Sequence, residues 1–246
     1  MSCSDVPAWY LRHRLPVLDL RSSAWGKARA ELLTPGYMPS TCVARLLKAG
    51  RIRRIAHGRY LVLDPVRETP PIAVASALFA DVSHYITTDA ALAFHGSIDQ
   101  PTPMITVVQA GRRSPVAIGR SVVRSVTVKQ ATLTRADAYD TTVESFKVRV
   151  ATRVQAVVDA LAEPNWMTHG SLLPEVLLSV DGRELADIAT GARGRSTAAA
   201  QRLGYLLEEA DRPIPASLAA VKPVAAVDLV PGQRTGTFST RWRVYG

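Results

Sequence analysis

The segment from Pro39 to Leu63 restricts the fold more than any other. Pro39 is a favoured first-turn residue and Gly50 a favoured stop. Between them Cys42, Val43, Leu46 and Leu47 fall on one helical face, and Thr41, Ala44, Arg45 and Lys48 fall on the opposite one. Two β-prone runs follow, Arg51 to Ile55 and Arg59 to Leu63, around a short Ala56-His57-Gly58 turn, which is hairpin spacing. A preceding helix is expected from Ser22 or Ser23 to about Leu33, with Ala24, Trp25, Ala28 and Leu32 along one side and Thr34-Pro35-Gly36 as its stop. Helix, turn, basic-faced helix and basic hairpin is the order of a winged helix-turn-helix, here assigned to residues 1–65.

Charge supports a binding role for this segment. The chain has 246 residues and a formal net charge of +9. Residues 1–65 hold 11 Lys and Arg against Asp5, Asp19, Glu31 and Asp64, so most of the excess lies in the head. A basic module on a nearly neutral body suggests a polyanionic partner. With 47% apolar residues the chain can bury a core. Uncharged stretches such as Thr69 to Ala80 are too short to span a bilayer, and no membrane partner is expected. The first residues lack the pattern of a secretory leader. The two cysteines, Cys3 and Cys42, read as free thiols of a cytoplasmic protein.

Asp64-Pro65 and Glu68 to Pro71 read as a linker to a mixed α+β body over 66–246. Helices are expected over Ile72–Ala80, from Thr87 or Thr88 to Phe94, near 171–180 and 183–190, and over 196–210. Strands are expected over Met104–Gln109, Ser121–Val128, Phe146–Ala151 and Thr237–Tyr245. Thr152 should cap a helix with Val154, Val157, Val158 and Leu161 on one face. Gly191 to Gly194 reads as a flexible turn.

The common catalytic and metal motifs are missing: no phosphate loop, dinucleotide fingerprint, His-Glu-x-x-His, Cys-x-x-Cys or Gly-x-Ser-x-Gly occurs. No catalytic residue, metal or cofactor is expected. Glu144 and Lys147 raise a metal-nuclease alternative, but strand alternation puts them on opposite faces. The candidate DNA contacts are Ser40, Thr41, Arg45 and Lys48 on the helix, with Arg51, Arg53, Arg54, His57 and Arg59 on the hairpin. Ser40 and Thr41 can bond bases or phosphates near the helix N-terminus; Arg45, nearer the helix start than Lys48, suits a base edge or a phosphate, and Lys48 a phosphate. The competing reading is a protein-binding winged helix with solvated cations. Arg112, Arg113, Arg120 and Arg124 form a second basic patch, for more DNA or an acidic surface, with a solvated loop as its alternative.

The chain also resembles the AbiEi-type antitoxins of bacterial type IV toxin–antitoxin systems. The resemblance is carried by Val43–Tyr60, by Tyr85-Ile-Thr-Thr-Asp-Ala-Ala-Leu-Ala-Phe-His-Gly96, by Val148–Leu161, by Ala199-Ala-Gln-Arg-Leu-Gly-Tyr-Leu-Leu-Glu208 and by Trp242-Arg-Val. It implies a DNA-binding autorepressor whose larger C-terminal domain counteracts a cognate nucleotidyltransferase toxin, with direct contact between the two left open. A monomer pairing on an inverted-repeat operator is expected, since one winged helix reads few bases. A nuclease with a DNA-binding head and a ligand-sensing regulator are the alternatives.

Overall fold

The structure is a computed structural model that describes residues 3–33, 38–232, 234 and 236–246. The expected stop at Thr34-Pro35-Gly36 lies outside the described residues. The chain is a mixture of helices and sheets. In order, its elements are α1 (Val6–Arg12), β1 (Val17–Asp19), α2 (Ser23–Leu32), α3 (Pro39–Lys48), β2 (Ile52–Ala56) and β3 (Arg59–Val62). Then come α4 (Pro71–Leu78), β4 (His84–Thr87), α5 (Thr88–Phe94), β5 (Met104–Gln109), β6 (Val116–Ile118), β7 (Ser121–Thr127) and α6 (Gln130–Arg135). The remainder is β8 (Ala138–Val143), β9 (Phe146–Ala151), α7 (Arg153–Ala162), α8 (Leu173–Ser179), α9 (Gly182–Arg195), α10 (Thr197–Glu209), α11 (Ala216–Ala219) and three two-residue strands, β10 (Val227–Asp228), β11 (Phe238–Ser239) and β12 (Val244–Tyr245). No helix among the described residues is long and apolar enough to cross a membrane.

Packing divides the chain into two compact units. The first is Met1–Tyr85, Val107–Leu133 and Asp140–Arg149; the second is Ile86–Thr106, Thr134–Tyr139 and Val150–Gly246. The first unit is thus larger than the segment 1–65 and includes strand residues from far along the chain.

Within the first unit, α1, α2 and α3 pack with a three-stranded sheet of order β1-β3-β2. The core holds Trp9, Tyr10, Leu18, Trp25, Leu46 and Val62. Ser22 caps α2 by accepting from the Trp25 amide at 3.2 Å. Trp9 Nε1 donates to Glu31 at 2.6 Å and ties α1 to α2. Three of the four apolar residues expected to face inward from α3 do so, Cys42, Val43 and Leu46. Leu47 lies at the stripe's edge near the helix end and is 40% exposed. The free-thiol expectation is corrected: Cys3 and Cys42 form a disulfide across 39 residues, both buried. The compartment argument drawn from free thiols therefore does not stand.

The same unit contains residues of a six-stranded sheet of order β6-β7-β5-β4-β9-β8. Sequence reading found neither edge strand. β6 makes a tight antiparallel hairpin with β7, turning at Gly119 with φ +57°. Between β8 and β9 the two turn residues, Glu144 and Ser145, both take left-handed conformations at φ 47° and 77°. This hairpin absorbs the Glu144–Lys147 pair: Glu144 is a turn residue and Lys147 an exposed strand residue.

The second unit is held by buried polar side chains bonded to distant backbone. Ile86 pairs with Val150 in a parallel ladder. Thr87 donates to one oxygen of the fully buried Asp159 at 2.8 Å, and Gln155 donates to the other at 2.9 Å. Asp89 accepts the amides of Thr168 and His169, both at 2.9 Å. Thr152 caps α7 as expected. On α10, Gln201 donates to the carbonyls of Ala225 and Trp242, and Arg202 to those of Leu161 and Asp228. Two expectations are corrected here. Gly191 and Gly194 lie inside α9, whose cap is Ser196. Thr237–Tyr245 is not one strand but β11, a turn with Arg243 at φ 53°, and β12.

Two glycines should respond oppositely to alanine. A Cβ on Gly204 would lie 2.4 Å from the buried Trp242 ring, whereas one on Gly194 meets nothing within 4 Å. Gly204→Ala should destabilise by about 1–3 kcal/mol through overpacking. Gly194→Ala should be neutral or stabilise by up to about 1 kcal/mol through helix propensity. Urea midpoints of both variants check this; equal midpoints would mean that α10 does not press on Trp242.

Candidate nucleic-acid interface

The candidate interface begins with the outward side of α3. Cys42, Val43 and Leu46 are anchored in the core, so the helix cannot rotate. Ser40, Thr41, Ala44, Arg45 and Lys48 are consequently exposed, together with Leu47. Arg51 and then β2 continue this surface. β2 is the edge strand of its sheet, and its register shifts between Arg54 and Ala56. A bulge of this kind re-aims side chains. Arg53 and Arg54, although adjacent, are both exposed, and so is His57 in the turn, where Gly58 takes φ +70°. Lys48, Arg51, Arg53 and Arg54 make no ion pair among the described residues. The result is one basic surface spanning a helix and the strand after it. Exposed guanidinium and ammonium groups of this kind can bond phosphate oxygens.

Arg59 does not belong to that surface. Its residue exposure is 9%. Nε donates to Asp19 at 2.7 Å, Nη1 donates to the Leu78 carbonyl at 3.1 Å, and Nη2 lies 3.6 Å from Asp81. β3 is the middle strand of its sheet and is buried along its whole length, so a cation there has to find internal partners.

Arg113 is likewise turned inward. It grips both oxygens of Asp81 at 2.8 Å, donates to the same Leu78 carbonyl at 2.6 Å, and lies over the Phe79 ring. Two guanidinium groups thus meet at the C-terminal end of α4, where the helix dipole favours positive charge. Of the second basic patch, Arg112 and Arg120 remain exposed and Arg124 is half-buried. β6, which lies between Arg113 and Arg120, packs beside β2, so two basic segments remote in sequence come together within the first unit.

The residues carrying the family resemblance outside the head prove to be internal anchors. Asp89, Asp159, Gln201 and Arg202 bond backbone or buried side chains, and a ring nitrogen of His95 lies 2.8 Å from the Ala151 carbonyl. Sequence reading missed Asp19 and Asp81, the carboxylates that hold Arg59. Nothing local marks either one, because their partner is 40 and 22 positions away.

Arg59→Ala should therefore act on stability, costing about 2–4 kcal/mol by leaving Asp19 without its buried partner. Arg53→Ala and Arg54→Ala should stay within about 0.5 kcal/mol. Chemical denaturation separates the two cases; similar losses for all three would contradict the placement of Arg59. Asp81 adds a pH signature. Partial burial works to raise its pKa, but the hydrogen bond and charge of Arg113, with that of Arg59, hold it below the ordinary 3.8. Its contribution is full above that value and is lost as pH falls through the lower folded value. Asp81→Asn should flatten the acid limb of the stability curve below about pH 4. An unchanged limb would show that the pair adds nothing there.

No protein-family model and no curated protein sequence matches the chain. Among solved structures it is similar to the crystal structure of the Rv2827c protein from Mycobacterium tuberculosis, with a TM-score of 0.68 at 15% identity. The match covers 98% of this chain and 90% of that one, and at this identity it shows a common fold.

Proposed function

We propose that the three helices and three-stranded sheet at the N-terminal end are a winged helix-turn-helix that binds duplex DNA, with α3 in the major groove and the β2–β3 hairpin as the wing. The observation that carries this reading is the exposed basic surface of α3 and β2, set opposite an apolar stripe that fixes its orientation. The sheet order β1-β3-β2 supports it, because it presents β2 at an edge. Thr41 lies in the first turn of α3, where base edges are reached, and Arg45, in the last turn but ahead of Lys48, suits a base edge or a phosphate; Lys48, Arg51, Arg53 and Arg54 suit phosphates.

With the family resemblance, the reading extends to an antitoxin. The chain represses its own operon from an inverted repeat, bound as two monomers, and counteracts a nucleotidyltransferase toxin encoded beside it. The function is one of binding rather than catalysis, and a DNA partner places it in the cytoplasm.

Four phosphate contacts from Lys48, Arg51, Arg53 and Arg54 give an expected salt slope near −3.6 per head. Arg45→Ala should cost about 1–3 kcal/mol on the operator and less on scrambled duplex. Lys48→Ala should weaken both alike. Fluorescence anisotropy across a salt series tests this; a slope near zero, or full operator affinity in the Arg45→Ala/Arg54→Ala variant, would remove the DNA reading. Co-expression with the neighbouring gene tests the antitoxin role, through rescue of growth by the intact chain.

A further inference from the structure

A cleft of about 1070 Å³ opens in the first unit, away from the basic face of α3. One wall is His13 to Pro16, the turn between α1 and β1. A second is formed at the end of α4 and in the following turn by Ser76, Ala77, Ala80 and the run from Val82 to His84, and the third is the β8–β9 hairpin. Its inner surface is largely apolar: Leu15, Pro16, Ala77, Ala80, Val82 and Val148. Its polar groups have a particular character. Ser76 and His84 are buried and bonded to each other at 3.1 Å, and the other ring nitrogen lies 3.0 Å from the Val82 carbonyl. Burial lowers the His84 pKa and favours the neutral ring. Arg149 at the rim is shared with the exposed Asp140 at 3.3 Å. Arg14 and Lys147 carry no ion pair among the described residues.

The backbone adds an independent observation. Arg14 takes φ +57° at the close of α1, where its amide donates to Leu11 and that of Leu15 to Tyr10. Glycine is the usual occupant of that position. Ser145, also lining the cleft, takes φ +77°. Non-glycine residues held in this region are costly and concentrate at functional sites. Arg14 is thus an arginine held where glycine fits more easily, and it lines the same cleft as Lys147.

We propose that this cleft is a binding site for a small organic anion, an apolar body bearing one carboxylate or phosphate group. The apolar walls take the body, and Arg14 and Lys147 take the acid. A cleft of this size suits a ligand of a few rings, and neutral His84 with Ser76 forms a closed polar spot behind it.

The test uses the full chain without DNA, so its outcome is independent of the DNA reading. The probe is 1-anilinonaphthalene-8-sulfonate, an apolar aromatic with one anionic group, and its neutral counterpart is N-phenyl-1-naphthylamine. The sulfonate should bind at one saturable site. The Arg14→Gly/Lys147→Ala variant should bind it at least fivefold more weakly while changing affinity for the neutral probe less than twofold. Arg14→Gly alone should melt no lower than the parent, since glycine relieves the left-handed backbone. Arg112→Ala/Arg120→Ala, which removes two cations elsewhere, should leave the titration unchanged. Displacement by 2-naphthoate against 1-naphthyl phosphate distinguishes the two acid groups. No saturable binding, unchanged affinity in the double variant, or an equal loss for the neutral probe overturns the assignment.

Discussion

The guanidinium of Arg59 is the interaction on which the arrangement of the first unit depends. It is a charge inside a sheet, on the central strand, and such a group persists only if its hydrogen bonds are met. Asp19 on β1, Leu78 at the end of α4 and Asp81 in the next turn meet them. One side chain thereby joins the strand that carries the hairpin, the strand beside it, and the helix that begins the rest of the chain. Arg113 reaches the same carbonyl and carboxylate from a loop more than 50 residues further on. With these contacts made, β3 has a fixed place, β2 lies at its edge, and the exposed arginines of β2 have a fixed direction.

The same economy governs the second unit. Buried Asp89, Gln201 and Arg202 bond backbone groups that would otherwise be left unsatisfied, and buried Asp159 accepts from the side chains of Thr87 and Gln155. Such positions fit a scaffold, a set of side chains that sets loops in place. The head presents exposed cations, and the body presents polar groups spent internally.

Local signals in the sequence were legible and non-local ones were not. Ser22, Thr152 and Gly96 mark helix ends because a cap needs only the next three or four residues. The outward stripe of α3 followed from helical spacing alone. Arg59 was misassigned for a definite reason. β1 has only three residues, behind Pro16, and leaves no periodic trace. Without it the hairpin seems to have two edge strands, both free to face a partner; with it β3 becomes central and Arg59 is enclosed. Arg113 sits in a stretch whose sequence reads as an open loop, because β6, only three residues long, leaves no periodic signal there. The Gly191–Gly194 pair weakens helix propensity, yet packing of Ile188, Ala189 and Ala192 carries α9 through it.

The central claim is that the cations of α3 and β2 meet DNA while those of β3 and the 110–114 loop serve the fold. Amide chemical-shift mapping of the full chain titrated with duplex DNA tests it most directly. The account predicts shifts concentrated at Thr41–Lys48 and Arg51–His57, fading with added salt, and little change in the side-chain Nε signals of Arg59 and Arg113. Shifts centred on Arg59 and Arg113, or none at α3, would contradict it.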